Sequence, residues 1–523
     1  MEKEMVRGTI ELTEGGATLP FKVEIYSQYP FQFHEVETIR FINETLMSYN
    51  HINADGSVCV HTMHHPQLGE KIALDLNGLK HWMINYYLNQ KKDELYEHII
   101  VGSQAFNGKK YAFLFTDTEH TFTKGSYGYC HYTPLTEGDW KSERIVTNLV
   151  QGFIIKGKIA SCNWNSLYRQ MNKKEAVYYF TDAPPVKSGR FALDNFKDLE
   201  TYYTQEFMRF LDQVSKRLIH QATGIDFVPL LIGYPIKGAE IHWQVILIPL
   251  DAFPGYGQKL SGGKIWLARL KDQPIIWGMT RNCSYGYFFG RGAFHKKITD
   301  ARILVIGVGA IGSMVATSLV RGGARNITLV DHDLKEPENV CRSEYAFLTG
   351  MQAKIKELST HLLAISPFVE VSSSEDLMDF VKTVVNTPQW LRPIEEHLNQ
   401  FDIIFDCSTD NDVAYLFSQF EITGEIFSLS ITNHAKELVC GGKHNLYSWL
   451  RQIFNQLQPD ADDLYQPTGC WSPTFKASYS DLSALVHFAL RHINNCFEQT
   501  MPVRHFYLST SNYNGFQIKL NQY

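Results

Sequence analysis

"ARILVIGVGAIGSMVATSLVRGG", residues 301–323, is the stretch of this 523-residue chain that decides its fold. The apolar run 303–306 is followed by Gly307, Gly309 and Gly312, and then by apolar residues at helical spacing. This pattern predicts a strand, a tight turn and a helix. The first two glycines let the backbone approach a phosphate, the third lets the helix pack closely, and the helix N-terminus offers N–H groups to anionic oxygens. The stretch therefore predicts nucleotide binding by an α/β domain.

Charged residues follow the glycine-rich stretch. A second predicted strand, "NITLVDHD", ends at Asp331, at a distance that suits a carboxylate binding ribose hydroxyls. Asp333, Asn339 and Arg342 come next, and Lys354 lies on a following predicted helix. On the glycines alone, a nicotinamide-dependent oxidoreductase is the commoner explanation. Such an enzyme needs no ring of Arg, Lys and Asp around the phosphates, so the added charges favour an enzyme that breaks a triphosphate.

A later apolar strand, within "FDIIFDCSTDND" (401–412), ends in Asp406 and Asp410. Breaking a triphosphate requires cations that spread the developing charge and a carboxylate that holds Mg²⁺. We expect Asp410 to be this Mg²⁺ ligand and Asp406 only to cap a turn.

Residues 300–415 resemble the adenylating domain of the ubiquitin-activating, ThiF and MoeB superfamily. The similarity lies in the Gly-rich turn, a D-x-D at a strand end, an N-x-x-R eight and eleven residues after the first Asp, and a D-x-x-T-D-N strand end. It implies that ATP is bound by Gly307, Gly309, Gly312, Asp331, Asp333, Asn339, Arg342, Lys354 and Asp410. In that family the lysine follows its glycine by three residues, whereas Gly350 precedes Lys354 by four, so Lys356 remains an alternative.

Composition limits the compartment and the partners. Nine cysteines without any Cys-x-x-Cys pair argue against a structural zinc site, and their odd number indicates reduced thiols, so we expect a cytoplasmic protein. The net charge of −6 argues against a protein that coats nucleic acid, and we expect no direct nucleic-acid binding. No uncharged run reaches transmembrane length, so we expect no membrane association.

Two cysteines stand out as candidate nucleophiles. Cys470, in "QPTGCWSPTF" (466–475), lies in irregular chain before a predicted helix, with Ser480 or Asp481 expected as its N-cap. A helix N-terminus can favour a thiolate, and a thiolate can attack an acyl adenylate. The pattern is similar to the cysteine loop of bacterial activating enzymes. By contrast, we expect Cys407 and Cys440, on or beside apolar strands, to be core thiols.

Cys59 lies in "YNHINADGSVCVHT" (49–62), after two predicted strands and before a helix predicted over 73–89. This arrangement resembles the ubiquitin-conjugating fold, which implies that Cys59 accepts an acyl group. His51 stands where that fold has the asparagine of its His-Pro-Asn triplet. Since an imidazole N–H can also donate a hydrogen bond, the resemblance implies that His51 stabilises the oxyanion.

We therefore predict an α/β chain with three domains: a ubiquitin-conjugating-like α+β domain (1–98), a mixed α/β linker or docking domain (99–292) and a Rossmann-like, ThiF-type adenylation domain (293–523). In the middle domain we predict one long amphipathic helix over 193–221 and no catalytic constellation.

The order of these domains resembles the conjugating–activating enzyme fusions of bacterial CBASS antiphage operons. The resemblance implies a homodimer formed through the adenylation domain. It also implies a protein substrate with a free C-terminus, a cGAS/DncV-like nucleotidyltransferase, which passes from an adenylate to Cys470, to Cys59 and then to a target amine of unknown identity.

Two alternatives stay open. An adenylyltransferase for a sulfur-carrier protein would use Cys470 in sulfur transfer and would not need Cys59. A scaffold that binds a nucleotide without turnover would need neither cysteine. A nicotinamide oxidoreductase leaves Arg342 and Asp410 without a role.

Overall fold

The structure, a computed structural model of the chain, divides into two compact units. It describes residues 5–32, 36–91, 102–140, 142–187, 189, 191–220, 227–236, 240–250, 259–260, 263–264, 273–375, 377–384, 387–457, 477–513 and 515–523. Unit 1 comprises Met1–Cys162 and Asn172–Cys283, and unit 2 comprises Asn163–Met171 and Ser284–Tyr523. Both contain sheets and helices, so the predicted α/β class is confirmed. The bounds of the three predicted domains stay a prediction.

Unit 1 begins with a small α+β region. Strands β1 (Met5–Glu14), β2 (Ala17–Tyr26) and β3 (Ile39–Ile42) form an antiparallel sheet in that order. A 3-10 helix (Glu44–Leu46) follows, and then α1 (Leu68–Trp82), which starts five residues earlier than predicted and continues as a π-helical segment, Met83–Leu88. Apolar side chains from the sheet and the helix share one buried core, which includes Phe21, Phe41, Leu79 and Trp82.

The rest of unit 1 is built around an eight-stranded mixed sheet. Its strands are β4 (Lys109–Phe115), β5 (Tyr127–Trp140), β6 (Glu143–Ile155), β7 (Lys158–Ser161), β8 (Lys174–Phe180), β11 (Phe227–Pro235), β12 (Ile241–Pro249) and β15 (Met279–Asn282). The order is β12-β11-β8-β5-β6-β4-β15, with β7 paired to β6. The described residues up to 283 also form two short ribbons and three further helices: β9 (Val186–Lys187), β10 (Phe191–Ala192), β13 (Lys259–Leu260), β14 (Gly263–Lys264), α2 (Ser166–Arg169, in unit 2), α3 (Phe196–Leu199) and α4 (Gln205–His220).

The prediction of one long helix over 193–221 was wrong, because α3 ends at Leu199 and α4 starts only at Gln205. Thr204 caps the start of α4, since its Oγ1 accepts a hydrogen bond from the Phe207 N–H at 3.2 Å. Threonine in this position satisfies an N–H that has no partner inside the helix. The helical periodicity was correct, and the cap within it was missed.

Unit 2 is a doubly wound α/β domain around a second eight-stranded sheet. Its strands are β16 (Arg302–Ile306), β17 (Asn326–Val330), β18 (Glu370–Ser374), β19 (Ile403–Asp406), β20 (Glu425–Thr432), β21 (Glu437–Gly442), β22 (Phe506–Ser511) and β23 (Gln517–Gln522). Its helices are α5 (Tyr285–Phe289), α6 (Lys296–Thr299), α7 (Ala310–Arg321), α8 (Lys354–Ile365), α9 (Leu377–Val384), α10 (Pro388–Leu398), α11 (Asn411–Phe417), α12 (Leu446–Gln456) and α13 (Tyr479–Glu498), with 3-10 turns at Pro337–Arg342, Phe347–Thr349 and Asn433–Ala435.

Strand β16 lies in the interior of this sheet. Ile303 and Val305 pack into the apolar core on one face, while Leu304 and Ile306 pack into the core on the other. A parallel strand covered on both faces carries a continuous apolar run, which explains the sequence before the glycines.

The strand order β18-β17-β16-β19-β20-β21-β22-β23 places the candidate site. The first five strands run parallel, and the chain proceeds outward from β16 to β17 and β18 before returning to β19 on the other side of β16. The winding therefore reverses between β16 and β19. In open α/β sheets, ligands bind in the crevice at the carboxyl ends of the strands at such a reversal.

Among the described helices, none is both apolar enough and long enough to cross a membrane.

Candidate nucleotide site and candidate acceptor cysteine

The glycine-rich turn connects β16 to α7, and its three glycines have different structural roles. Gly307 has φ of 75°, and a Cβ there would lie 2.5 Å from the Cα of Ser408 at the end of β19. A Cβ on Gly312 would lie 1.9 Å from the carbonyl oxygen of Gly307. A Cβ on Gly309 would have no atom within 4 Å. The fold itself requires Gly307 and Gly312, whereas Gly309 keeps open the space before α7 in which a phosphate would lie.

Asp331, at the end of β17, fixes this turn. Its Oδ2 accepts from the Val308 N–H at 2.7 Å, and its Oδ1 accepts from the Asp333 N–H at 2.8 Å. The Tyr345 hydroxyl donates to the Val308 carbonyl, and burial raises the pKa of Tyr345, so that hydroxyl stays a donor. Asp331 is half-buried. Its carboxylate therefore shapes the turn, in addition to the ribose contact predicted for it.

Lys354 begins α8 and faces the end of β17. Its Nζ lies 2.6 Å from Asp333 Oδ2, and its backbone N–H donates to the Asp333 carbonyl at 3.0 Å. Lys354 is buried, with 8 % of its surface exposed, whereas Lys356 is exposed on the same helix. His332 Nε2 lies 3.3 Å from Asp333 Oδ1. Of the two candidate lysines, Lys354 is the one that is buried and paired with Asp333, just beyond β17.

Asn339 and Arg342 lie on the 3-10 helix Pro337–Arg342. Asn339 Oδ1 accepts from the Glu336 N–H at 2.9 Å, which forms half of a capping box, and Arg342 is half-buried at the end of this helix. Two residues later, the Glu344 N–H donates to Ser313 Oγ at 3.2 Å. These contacts hold the segment beside the first turns of α7.

Asp410 follows β19, on the other side of the reversal. It is the N-cap of α11, where its Oδ1 accepts from the Asp412 N–H at 2.8 Å, and its Oδ2 lies 2.5 Å from Lys382 Nζ on α9. Burial opposes ionisation of Asp410, but Lys382 and the backbone N–H groups outweigh it and lower its pKa. Lys382 was missed from the sequence because no motif or fixed spacing links it to Asp410.

Asp410 fits the Mg²⁺ assignment as a single ionised carboxylate. Within the residues that the structure describes, no group of three or more His, Cys, Asp or Glu side chains could hold a metal ion. Mg²⁺ beside a nucleotide is usually held by one or two carboxylates together with phosphate oxygens and water, so one carboxylate suffices. Lys382 would have to share or yield Asp410 Oδ2.

The residues expected to have no role in catalysis are buried. Asp406 is 2 % exposed, and its carboxylate accepts hydrogen bonds from the Ser408 N–H and from the hydroxyls of Ser408 and Ser428, so the predicted turn cap is confirmed. Cys407 and Cys440 are both buried, which confirms them as core thiols, and burial raises the pKa of both.

Cys470 lies outside the described residues. The helix after it, α13, has Ser478 as its N-cap, so the expectation of Ser480 or Asp481 was wrong. Ser478 Oγ accepts from the Asp481 N–H at 3.2 Å, and Asp481 Oδ2 accepts from the Ser478 N–H at 3.0 Å. Asp481 is thus the third residue of α13 and completes a capping box with Ser478, which lies two residues before Ser480, the nearer of the two predicted caps.

Cys59 is half-buried in unit 1. Its backbone N–H donates to the His51 carbonyl at 2.8 Å. Its Sγ lies 3.3 Å from His61 Nε2, and His61 Nδ1 lies 2.9 Å from Glu37 Oε1. His61 and Glu37 were missed from the sequence. The Cys-x-His spacing could have indicated His61, because alternate residues of an extended chain share a face.

His51 has φ of 59°, and its ring packs on Tyr86 with 4.4 Å between ring centroids. The chain thus brings the His51 backbone to Cys59. The oxyanion role of its imidazole stays a prediction.

The comparison with protein families identifies part of the chain. Residues 281–467 match the model of the ThiF family. This range includes every predicted ATP-binding residue, from Gly307 to Asp410.

Curated relatives extend the similarity. The chain is 24% identical over 275 residues to the ATP-dependent ubiquitin transferase-like protein Cap2 of Enterobacter hormaechei subsp. hoffmannii, an alignment that spans 48% of this chain and 44% of the relative. It is 26% identical over 146 residues to the molybdopterin-synthase adenylyltransferase of Escherichia coli, spanning 28% of this chain and 53% of the relative. The chain therefore spans about half of the length of each of these two relatives.

Among solved structures, E. coli MccB with ATP aligns with 43% of this chain and 65% of its own, at 13% identity and a TM-score of 0.30.

Proposed function

We propose that this protein uses ATP to activate the C-terminal carboxylate of a partner protein and then conjugates that partner to an amine through thioesters on Cys470 and Cys59. The observation that carries the proposal is the grouping of the Gly307 turn, Lys354 and Asp410 at the strand ends of a ThiF-family domain, in one chain with the Cys59 thiol. The similarity to the transferase-like protein Cap2 supports the same activity.

In the first step, a carboxylate oxygen of the partner attacks the α-phosphorus of ATP. The bond from that phosphorus to the bridging oxygen breaks, and pyrophosphate leaves with its electron pair. Lys354 and Arg342 offset the charge on the phosphates, and the N-terminus of α7 offers N–H groups to anionic oxygens. Asp410 would hold Mg²⁺, which neutralises phosphate charge when it is bound.

In the second step, the Cys470 thiolate attacks the carbonyl of the acyl adenylate, and AMP leaves. The acyl group then passes to Cys59 by thioester exchange, and an amine of the target attacks it. Because one polypeptide carries both thiols, the exchange is intramolecular and proceeds at an effective concentration set by the chain between them. His51 would stabilise the oxyanion formed at Cys59.

The conjugated partner and the assembly follow from resemblance. We infer that the partner is a cGAS/DncV-like nucleotidyltransferase, in keeping with the domain order of the CBASS fusions and with the similarity to Cap2. We also infer a homodimer through the adenylation domain and a cytoplasmic location.

The test combines pyrophosphate exchange with non-reducing gels. With ATP, Mg²⁺ and the partner, wild-type protein should form a thioester that thiol reagents cleave. Cys59→Ala should retain the Cys470 thioester, and Cys470→Ala should form none. A thioester that survives in Cys470→Ala would remove Cys470 from the relay, and undiminished exchange in Asp410→Asn would remove the Mg²⁺ assignment.

A second candidate is an adenylyltransferase for a sulfur-carrier protein, which the similarity to the E. coli molybdopterin-synthase adenylyltransferase favours. It predicts a thiocarboxylate on the carrier and full activity in Cys59→Ala. The gel assay therefore separates the two candidates.

A further inference from the structure

The segment 59–62, which precedes α1, places two candidate functional side chains on one face. Val60 and Thr62 pack toward α1, since a Cβ on Gly78 would lie 2.6 Å from Val60 Cγ1 and 3.1 Å from Thr62 Cγ2. Alternate residues of an extended chain point to opposite sides, so Cys59 and His61 point away from α1 together. This alternation explains the 3.3 Å distance between Cys59 Sγ and His61 Nε2.

A carboxylate orients the imidazole. Glu37 Oε1 lies 2.9 Å from His61 Nδ1 and also accepts a hydrogen bond from Gln32 Nε2 at 2.6 Å. A carboxylate at Nδ1 favours the tautomer that carries its proton there, which leaves the Nε2 lone pair directed at the thiol. A nucleophile, a base and a group that orients the base thus lie in one line of contacts, as acyl-transfer enzymes require.

A buried network fixes the chain next to this base. Lys71 and Asp75 are each 2 % exposed and lie 2.6 Å apart on α1. Thr62 Oγ1 donates to Asp75 and lies 2.6 Å from Lys71 Nζ, while the Tyr29 hydroxyl donates to Asp75 at 2.7 Å. Because all of these groups are paired, the residue after His61 is held in one position. The His61 side chain remains 65% exposed, so an incoming acyl group or amine has access to it.

We propose that His61 is the general base of the Cys59 site and that Glu37 is its positioning residue. The inference rests on the proposed function, because that function brings the acyl group to Cys59. As Cys59 Sγ attacks the incoming thioester carbonyl, its proton moves to His61 Nε2. The carbon–sulfur bond to the donor cysteine breaks, and the departing donor thiolate receives that proton.

The same base serves the second step. The nitrogen of the target amine attacks the acyl carbonyl on Cys59 and passes its proton to His61 Nε2. The carbon–sulfur bond to Cys59 breaks, the sulfur leaves with the electron pair, and the proton on Nε2 returns to it. His61 is neutral again at the end of the cycle, and an amide remains on the target.

The first test measures the Cys59 thiol without ATP or partner. Full-length protein is alkylated with iodoacetamide between pH 5.5 and 9.5, and the modified Cys59 peptide is quantified by mass spectrometry. A thiol with an adjacent base forms thiolate at lower pH than a free cysteine, whose pKa is about 8.5, so His61→Gln should slow alkylation about tenfold at pH 7. Glu37→Gln should slow it less, because the amide oxygen can still accept from Nδ1. His65→Gln is the matched control, since the His65 Nδ1 contacts the backbone of Gln67.

Equal rates and equal pH midpoints in His61→Gln and His65→Gln overturn the inference. A shifted midpoint in His61→Gln with a wild-type profile in His65→Gln supports it, whether or not the relay occurs. The second readout is single-turnover discharge of a Cys59 thioester to an added amine, which His61→Gln should slow while the Cys470 thioester still forms. If no thioester reaches Cys59 in wild-type protein, the proposed function fails and the alkylation result still decides the role of His61.

Discussion

The candidate nucleotide site of unit 2 and the candidate Cys59 site of unit 1 are built in different ways. The first is built on backbone turns at strand ends, together with the side chains that bind them: Gly307 has a positive φ, Asp331 accepts a hydrogen bond from the Val308 N–H, and Asp410 caps α11. The second uses side chains alone, Cys59, His61 and Glu37, held by an extended segment packed on α1. A site made of backbone needs fixed residue types at fixed spacing, whereas a site made of side chains needs only that packing brings them together. The four predictions below test this difference, starting with the largest expected effect.

Replacement of the glycines should separate fold from ligand binding. Gly307→Ala requires a positive φ of alanine and places its Cβ 2.5 Å from Ser408 Cα, so we expect unit 2 to lose about 2 to 6 kcal/mol in urea unfolding. Gly309→Ala meets no atom within 4 Å, so stability should stay near wild type while ATP binding weakens. Equal loss of stability in both variants would contradict the different roles assigned to Gly307 and Gly309.

The second prediction concerns unit 1 and the buried Lys71–Asp75 pair on α1. Lys71→Met leaves Asp75 buried without its cation, and we expect a loss of about 3 to 5 kcal/mol in the free energy of unfolding of the region around α1. The control is Lys80→Met on the same helix, whose Lys80–Glu14 pair is 3.4 Å long and exposed, and which should cost less than about 1 kcal/mol. Similar losses in both variants would contradict a stabilising role of the buried network.

The two lysines of α8 should differ in catalysis. Lys354→Gln should lower ATP–pyrophosphate exchange about 100- to 1,000-fold, because its proposed role is to offset the charge on the phosphates, while Lys356→Gln should retain activity. Thermal unfolding of both variants checks that they fold. If Lys356→Gln is the inactive variant, the alternative left open by the Gly350 spacing is correct.

A smaller effect concerns acid stability. Burial opposes ionisation of Glu357, but hydrogen bonds from Lys335 and the Ala346 N–H outweigh it and lower its pKa below 4.5. Its contribution to stability is therefore present above pH 4.5 and lost as the pH falls through the folded-state pKa. Glu357→Gln should reduce the slope of unfolding free energy against pH in this acid range, by at most about 1.4 kcal/mol per pH unit. An unchanged slope would show that Glu357 titrates alike in the folded and unfolded chain.

Most of the predicted nucleotide residues fall within 307–354, where the position of each follows from a local strand, turn or helix. Lys382 could not be predicted, because α9 meets Asp410 only after β19 has returned beside β16. His61 and Glu37 are separated by 24 residues, and only the packing of Val60 and Thr62 on Gly78 turns His61 toward the thiol and Glu37. The break between α3 and α4 was missed because periodicity records the apolar face of a helix and not where its hydrogen bonds stop.

The sequence by itself determined the α/β class and the β16–turn–α7 nucleotide motif, because glycine spacing and an apolar run act through local backbone sterics. It also indicated both candidate thiols. Only the tertiary structure decided which lysine of α8 lies beside Asp333, that Lys382 meets Asp410, and that Cys59 has a histidine and a carboxylate in line with it. Those contacts join distant segments, and their geometry is set by the packing of helices and extended chain rather than by spacing along the sequence.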